Sequence, residues 1–246
     1  RLLGVSLTGI MDNSILSRVR TTLPETLQGM RQKAVLVNKE WSEKLGIPQS
    51  TAITCVKPSG TVSQLVDSAS GIHARHNPYY IRTVRGDKKD PLTEFMKDQG
   101  IPCEDDVMQP NNAVFSFPMK ADSNAVFRDD MTAIEQLEIW KCYAQHWCEH
   151  KPSVTISVKE HEWVNVGNWC WNNFDTLSGI SFLPFSDHTY QQAPYQDIDK
   201  ATYEELASKM PKNINWSELS KFEKEDTTKG SQELACTAGS CELVDI

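Results

Sequence analysis

Two cysteines near the end of the chain are the residues best suited by type and spacing to chemistry. Cys236 and Cys241 are separated by Thr, Ala, Gly and Ser, and Gly239 lets the two sulfurs approach each other without a rigid fold. An exposed disulfide exchanges readily with other thiols, so the spacing indicates a redox-active pair. Two alternatives remain open. The pair could be incidental, or a zinc half-site, which is disfavoured because no second Cys or His pair follows at ligand spacing.

The segment KPSGT, residues 57–61, is a candidate phosphate-binding turn. It lies between the apolar run AITCV, a predicted buried strand, and VSQLV, a predicted helix start. Small residues there let a phosphate approach the unpaired backbone N–H groups, while the hydroxyls of Ser59 and Thr61 donate hydrogen bonds. An ordinary Pro-Ser-Gly turn is the alternative. The P-loop spacing GxxxxGK[ST] is absent, so nucleoside-triphosphate hydrolysis is not indicated.

The loop SGIHARHNPYY places two histidines shortly after this turn. His73 and His76, with Arg75 between them, are candidates for lying close to a substrate or a cofactor, because histidine and arginine both bind nucleotide edges and phosphates. The alternative is that these side chains are structural groups satisfied within the loop.

Two further sets of residues are predicted to be structural. Helical spacing favours core packing for four aromatic residues: Trp163, Trp169, Trp171 and Phe174. Thiols on predicted helices are expected to be buried and inert, which applies to Cys142, Cys148 and Cys170. Cys55, in the predicted strand before the turn, is ambiguous. No metal site is predicted.

The elements that must position these residues alternate along the chain. An apolar stripe from Leu27 to Leu45 predicts a helix over 23–47, closed by Gly46 and Pro48. Further helices are predicted near 90–100, 131–150, 162–174 and 199–211, the last with Asp199 as its N-cap. Between them lie five predicted strands: AITCV, YYIRTVR, NAVFSFPM, SVTISV and GISFLP.

This alternation predicts an α/β domain with a largely parallel sheet over residues 1–211. The last part, 212–246, is charged and polar without a sustained apolar period, and we expect it to be a flexible tail.

Composition restricts the classes of function. The formal net charge of −8 argues against sequence-independent nucleic-acid binding, which needs clustered Lys and Arg. No stretch approaches the roughly 18 consecutive apolar residues of a membrane span, and no secretory signal is visible, so we expect a cytoplasmic protein. Because the sequence opens at Arg1 directly in an apolar run, we expect a fragment.

Four blocks of sequence resemble the C-terminal part of the adenosylcobalamin-dependent (class II) ribonucleotide reductases: TCVKPSGTVSQLVDSASGIHARHNPYYIRTVR, SVTISVKEHEW, SGISFLPFSDHTYQQAPY and GSQELACTAGSCE. The resemblance implies the second half of a ten-stranded α/β barrel, with about five parallel strands, followed by a flexible tail. It also implies reduction of ribonucleoside triphosphates to deoxyribonucleotides for DNA synthesis, with vitamin B12 (adenosylcobalamin) as the cofactor. A thiyl radical abstracts the ribose 3′ hydrogen, and two further thiols supply electrons as the 2′ hydroxyl leaves as water.

The same resemblance assigns roles to residues of this chain. Pro58, Ser59, Gly60 and Thr61 would bind the substrate phosphates. Cys236 and Cys241 would reduce the active-site disulfide after each turnover and be re-reduced by a thioredoxin-like partner.

One departure from the family pattern is decisive for activity. The radical cysteine of the family lies in an Asn-x-Cys-x-Glu context, and none of the seven cysteines here has that context. We therefore expect this polypeptide to be inactive alone, and to act with an N-terminal part of the reductase that carries the NxCxE loop. Two alternatives are a non-catalytic nucleotide-phosphate-binding module and an iron-dependent, diphosphate-reducing relative.

Overall fold

The fold was analysed in a computed structural model, which describes residues 2–57, 59, 62–185 and 190–223. These residues divide into two compact units. The first unit contains residues 2–75 and 121–185, and the second contains 76–120 and 190–223. The strands are β1 (Leu2–Ser6), β2 (Ala52–Cys55), β3 (Tyr79–Asp87), β4 (Cys103–Asp105), β5 (Asn112–Lys120), β6 (Val154–Val158), β7 (Ile180–Pro184) and β8 (Tyr195–Asp197). The α-helices are α1 (Leu23–Leu45), α2 (Val62–Leu65), α3 (Pro91–Asp98), α4 (Ala133–His146), α5 (Trp163–Asn172) and α6 (Lys200–Lys209).

The first unit contains two pairs of parallel strands. β1 pairs with β2, and β6 pairs with β7 in the register Val154↔Ile180 to Val158↔Pro184. Helices α1, α4 and α5 cover these strands, and their side chains form one apolar core whose largest members are fully buried. These include Leu27, Leu137, Trp140, Tyr143 and Trp147. Parallel strands buried by helices are what the apolar runs AITCV and SVTISV predict.

The helix predicted over 23–47 is confirmed as α1. Pro24 lies in its first turn, and Gly46 ends it in a left-handed conformation (φ +62°) with its N–H donated to Glu43 and Ser42 carbonyls. Only the first part of the predicted stripe is buried. Leu27 is fully buried, whereas Trp41 is 53% and Leu45 61% exposed.

The second unit is built on an antiparallel sheet in the order β4-β5-β3-β8. β3 and β5 pair along their whole length, from Tyr79↔Lys120 to Asp87↔Asn112. The expectation that YYIRTVR and NAVFSFPM run parallel to the other strands is therefore wrong. In β3 only Tyr80 and Thr83 are buried, and a strand that is largely half-buried or exposed fits an antiparallel sheet, whereas the strands of a parallel sheet are buried on both faces.

The α/β class is confirmed, and so are the helices after residue 90. Asp90 and Asp199 accept backbone hydrogen bonds from Leu92 and Thr202, at 2.8 and 2.7 Å, as N-caps of α3 and α6. A 3-10 helix, Trp216–Lys221, packs its Trp216 ring 5.3 Å from that of Phe95 in α3. Of the predicted tail 212–246, residues 224–246 lie outside the described residues, and the predicted domain boundary at 211 stays a prediction. None of the described helices is long and apolar enough to cross a membrane.

Candidate functional site

The turn that follows β2 is organised around Ser59. Its backbone N–H donates to Ser70 Oγ at 2.8 Å, and its carbonyl accepts from the backbone N–H of Ser63 at 3.1 Å and from the Ser63 hydroxyl. Ser59 Oγ is buried and has no hydrogen-bond partner among the residues that the structure describes. An unpaired buried hydroxyl costs about 1–3 kcal/mol, so this atom is suited to a ligand oxygen.

The other predicted phosphate-binding residues, Pro58, Gly60 and Thr61, lie outside the described residues. The helix after the turn, α2, is only four residues long. A single turn of helix has little macrodipole, so any anion affinity here must come from individual N–H and hydroxyl donors.

A loop formed by residues 66–75 lies against this turn. Gly71 is in the left-handed region (φ +52°), and a Cβ at this position would lie 3.3 Å from the carbonyl oxygen of Lys57. Glycine is therefore favoured at position 71 for two reasons: the backbone has a positive φ, and a Cβ would come close to the Lys57 carbonyl at the start of the turn.

An ion-pair cluster fixes both ends of this loop. Arg75, whose side chain is 4% exposed, donates to the two carboxylate oxygens of Asp12 at 2.8 and 3.1 Å and to Asp67 at 3.1 Å. The same Asp12 carboxylate accepts the backbone N–H of Ala69 at 2.7 Å. Sequence reasoning missed Asp12, because it lies more than 50 residues before the loop and has no motif around it.

His73 connects the loop to β6. Its Nε2 accepts the backbone N–H of Thr155 at 3.1 Å, so Nδ1 must carry the ring proton, and it donates to the carbonyl of Ser70 at 3.0 Å. Burial lowers the pKa of His73, with the Ser70 hydrogen bond opposing that shift, which agrees with a neutral ring. Both ring nitrogens thus have protein partners, and its predicted proximity to a substrate or cofactor stays a prediction.

His76 belongs to the second unit, whereas Ser59 and His73 belong to the first. Its Nε2 lies 2.8 Å from Asp197 Oδ1, and its ring lies 5.2 Å from that of Tyr195. The predicted role of His76 near a substrate or cofactor likewise stays a prediction.

Burial is confirmed for Cys142 and Cys148, although Cys148 lies just beyond the end of α4, whereas Cys170 is half-buried. Burial raises the pKa values of Cys142 and Cys170, and it raises that of Cys148 to about 12, so all three remain protonated thiols at neutral pH. Cys55 is also buried and free. The redox pair Cys236 and Cys241 lies outside the described residues.

The aromatic residues of α5 are divided between core and surface. Trp169 is buried and donates its indole N–H to Glu138, which confirms core packing for this residue. Trp171 and the neighbouring Phe174 are 81% and 73% exposed, so the prediction of core packing is wrong for them. Trp163, the first residue of α5, is 37% exposed, so core packing is wrong for it too, and the spacing of the four aromatic residues does not distinguish the buried ring from the exposed ones.

Among the described residues, no three His, Cys, Asp or Glu side chains are grouped so that they could hold a metal ion. The Ser59 N–H is already donated to Ser70, so the donor that the described part of the turn leaves for a ligand is the buried Ser59 hydroxyl.

Comparison with known proteins gives one consistent result. No family model matches the chain. The adenosylcobalamin-dependent ribonucleoside-triphosphate reductase of Euglena gracilis is 30% identical over 247 aligned positions, which cover 98% of this chain and 33% of the relative. The enzyme of the same name from Lactobacillus acidophilus is 28% identical over 89% of this chain and 30% of its own length.

A solved structure shows the same similarity in three dimensions. The crystal structure of a B12-dependent (class II) ribonucleotide reductase matches with a TM-score of 0.72 and 26% identity, over 84% of this chain and 29% of that one. The resemblance deduced from the four sequence blocks is thereby confirmed. The chain spans about a third of the length of the curated relatives it matches.

Proposed function

We propose that this chain, a homologue of the adenosylcobalamin-dependent ribonucleoside-triphosphate reductases, is the C-terminal portion of such an enzyme. The reaction is the reduction of ribonucleoside triphosphates to deoxyribonucleoside triphosphates. The observation that carries the proposal is that sequence and fold both resemble these reductases over most of the chain.

The exposed strand β1 supports the proposal that the first unit is part of a larger barrel. β1 pairs with β2 and with no other strand that the structure describes, and all five of its residues are exposed, including Leu2 at 71% and Leu3 at 44%. A strand with apolar side chains exposed on both faces needs covering. We infer that β1, β2, β6 and β7 are strands of the second half of a ten-stranded barrel, which the remainder of the reductase completes.

The substrate phosphates bind at the turn of Pro58, Ser59, Gly60 and Thr61. Support comes from Ser59, whose buried hydroxyl has no partner among the described residues and whose backbone is fixed from both sides. A donor that is desolvated and fixed in place before the ligand arrives loses little entropy on binding.

The tail pair relays electrons. One thiolate of Cys236 and Cys241 attacks the active-site disulfide to form a mixed disulfide, and the second thiol resolves it. The active-site pair gains two electrons and two protons, while Cys236 and Cys241 become a disulfide. The dithiol of a thioredoxin-like protein then reduces that disulfide by the same exchange.

The cofactor of the proposed reductase is adenosylcobalamin, which supplies the one-electron chemistry that starts the reaction. A corrin holds its cobalt through its own nitrogens, so the cofactor needs no cluster of metal-ligating side chains, and we assign no cobalamin contact to a residue of this chain. The radical cysteine, in its Asn-x-Cys-x-Glu context, must come from another segment of the reductase, because no cysteine in this sequence has that context.

The test is deoxynucleotide formation from CTP, with adenosylcobalamin and dithiothreitol, by the reductase assembled from this chain and a segment that carries the NxCxE loop. We expect activity from the assembly and none from this chain alone. Ser59→Ala should raise KM for CTP about tenfold with kcat nearly unchanged, because a binding hydrogen bond is lost. Ser68→Ala, in the adjacent loop, is the control. An inactive assembly, or an unchanged KM in Ser59→Ala, would contradict the reductase or the phosphate assignment respectively.

A further inference from the structure

A chain of hydrogen bonds links the Ser59 turn to β6, a strand with which β2 does not pair in the described sheets. It begins at the Thr155 N–H, which donates to His73 Nε2 at 3.1 Å. His73 then holds Ser70 with two donors, since its Nδ1 and its backbone N–H both donate to the Ser70 carbonyl, at 3.0 and 2.9 Å. Ser70 Oγ finally accepts the N–H of Ser59 at 2.8 Å.

The direction of each bond fixes the next one. Because a backbone N–H can only donate, His73 must accept at Nε2 and therefore donate at Nδ1. The Ser70 carbonyl is thus held in place, and its hydroxyl is presented to Ser59. The Ser59 carbonyl is in turn held by Ser63. The backbone on both sides of the Ser59 side chain is fixed while its own hydroxyl is left unused among the described residues.

We propose that Ser70 is a positioning residue for the substrate phosphate, holding the Ser59 amide so that the Ser59 hydroxyl points to the ligand before the ligand binds. This inference rests on the proposed function, because it takes the Ser59 turn to be the phosphate site. Ser70 itself does not contact the substrate. Its effect is to preorganise the turn, and its loss should weaken binding without changing the chemical step.

The experiment uses the assembled reductase and measures kcat and KM for CTP, together with the calorimetric Kd for CTP in the absence of cobalamin. Ser70→Ala should raise KM and Kd about five- to tenfold and leave kcat within about twofold. Ser70→Thr keeps the hydroxyl and should restore both constants. Ser68→Ala is the matched control, since the Ser68 hydroxyl makes only long contacts, at 3.4 Å with Thr8 Oγ1 and 3.5 Å with the Ser63 carbonyl.

Two further variants separate the possible outcomes. If Ser70→Ala fails to fold, Ser70→Cys replaces it, because a thiol fills the same space but accepts hydrogen bonds weakly, and the same rise in KM is expected. A fall in kcat at unchanged KM and Kd would mean a loss of folded enzyme only, and would overturn the positioning role. If Ser59→Ala raises KM but Ser70→Ala does not, the positioning role is wrong and the phosphate turn stands. If neither variant changes KM or Kd, both proposals are wrong.

Discussion

At the scale of single residues, hydrogen-bond direction fixes chemical states that the sequence leaves open. His73 is neutral because the Thr155 N–H occupies its Nε2, and burial lowers its pKa further, against the opposing Ser70 hydrogen bond. Cys148 remains a thiol because burial raises its pKa to about 12. The sequence predicted inert thiols on the helices, but it left His73 either close to a ligand or structural. The tautomer of a loop histidine cannot be predicted from the neighbouring residues.

The neutral state of His73 predicts an acid-sensitive fold. The unfolded chain takes up a proton near the ordinary pKa of 6.5, whereas the folded chain resists protonation, so the unfolded state binds more protons in this range. The stabilisation by His73 is therefore complete above pH 6.5 and is lost as the pH falls towards the lowered folded-state pKa.

His73→Gln should reduce the loss of stability between pH 7 and pH 5, because a Gln amide can both donate and accept but does not titrate. The measurement is the free energy of unfolding in urea at the two pH values. His161→Gln, at an exposed position, is the control and should keep the dependence of the unsubstituted protein. An equal pH dependence in His73→Gln and the unsubstituted protein would exclude His73 as its source.

At the scale of elements, helices could be predicted more fully than strand pairing. Local signals define a helix: the predicted N-cap Asp199 and the predicted terminal Gly46 both act as their sequence positions predict. Whether β3 and β5 run parallel or antiparallel depends on contacts between segments about 30 residues apart. The order of predicted strands and helices along the sequence carries no information about those contacts. The charged Arg82 and Arg85, three residues apart and so on opposite faces of β3, are a local signal against a parallel strand buried on both faces.

The contact of the loop 66–75 with the turn predicts a specific cost of a side chain at Gly71. Gly71→Ala should destabilise the fold by about 1–2 kcal/mol for its positive φ, with a further cost from the approach to the Lys57 carbonyl. Gly46→Ala is the matched control, because Gly46 also has positive φ (+62°) but no atom within 4 Å of the added Cβ. Urea unfolding should show Gly71→Ala as the more destabilised variant. Equal losses would mean that the loop moves aside at no cost.

At the scale of the whole molecule, the proposed function depends on how this chain and the rest of the proposed reductase are joined. Of the proposed phosphate turn the structure describes Ser59, and the proposed electron relay lies among residues 224–246, outside the described residues. In the proposed reductase the two would serve different steps: the turn would bind the substrate in every turnover, whereas the tail pair would be needed only after the active-site disulfide has formed.

This difference gives a prediction for the assembled enzyme. The double variant Cys236→Ser, Cys241→Ser should make deoxynucleotide in the first turnover and then stop when thioredoxin is the sole reductant, because serine cannot exchange with a disulfide. Dithiothreitol, which reaches the active site directly, should restore repeated turnover. The control is Cys103→Ser, which removes an exposed free cysteine outside the proposed relay. Continued turnover of the double variant with thioredoxin alone would show that the pair is not the relay.

The sequence by itself determined the family resemblance, the helices, the phosphate turn as a candidate and the tail cysteines as a pair. Each of these depends on residues that are close together in the sequence. Only the tertiary structure decided which residues hold the turn. Asp12, Ser70 and Thr155 have no shared motif and come together through the packing of the loop 66–75. The direction of the strands of the second unit and the exposure of Trp171 were likewise decided by long-range contacts. Local sequence patterns predict which secondary structure a segment can form, whereas the contacts of that segment depend on the packing of the whole chain.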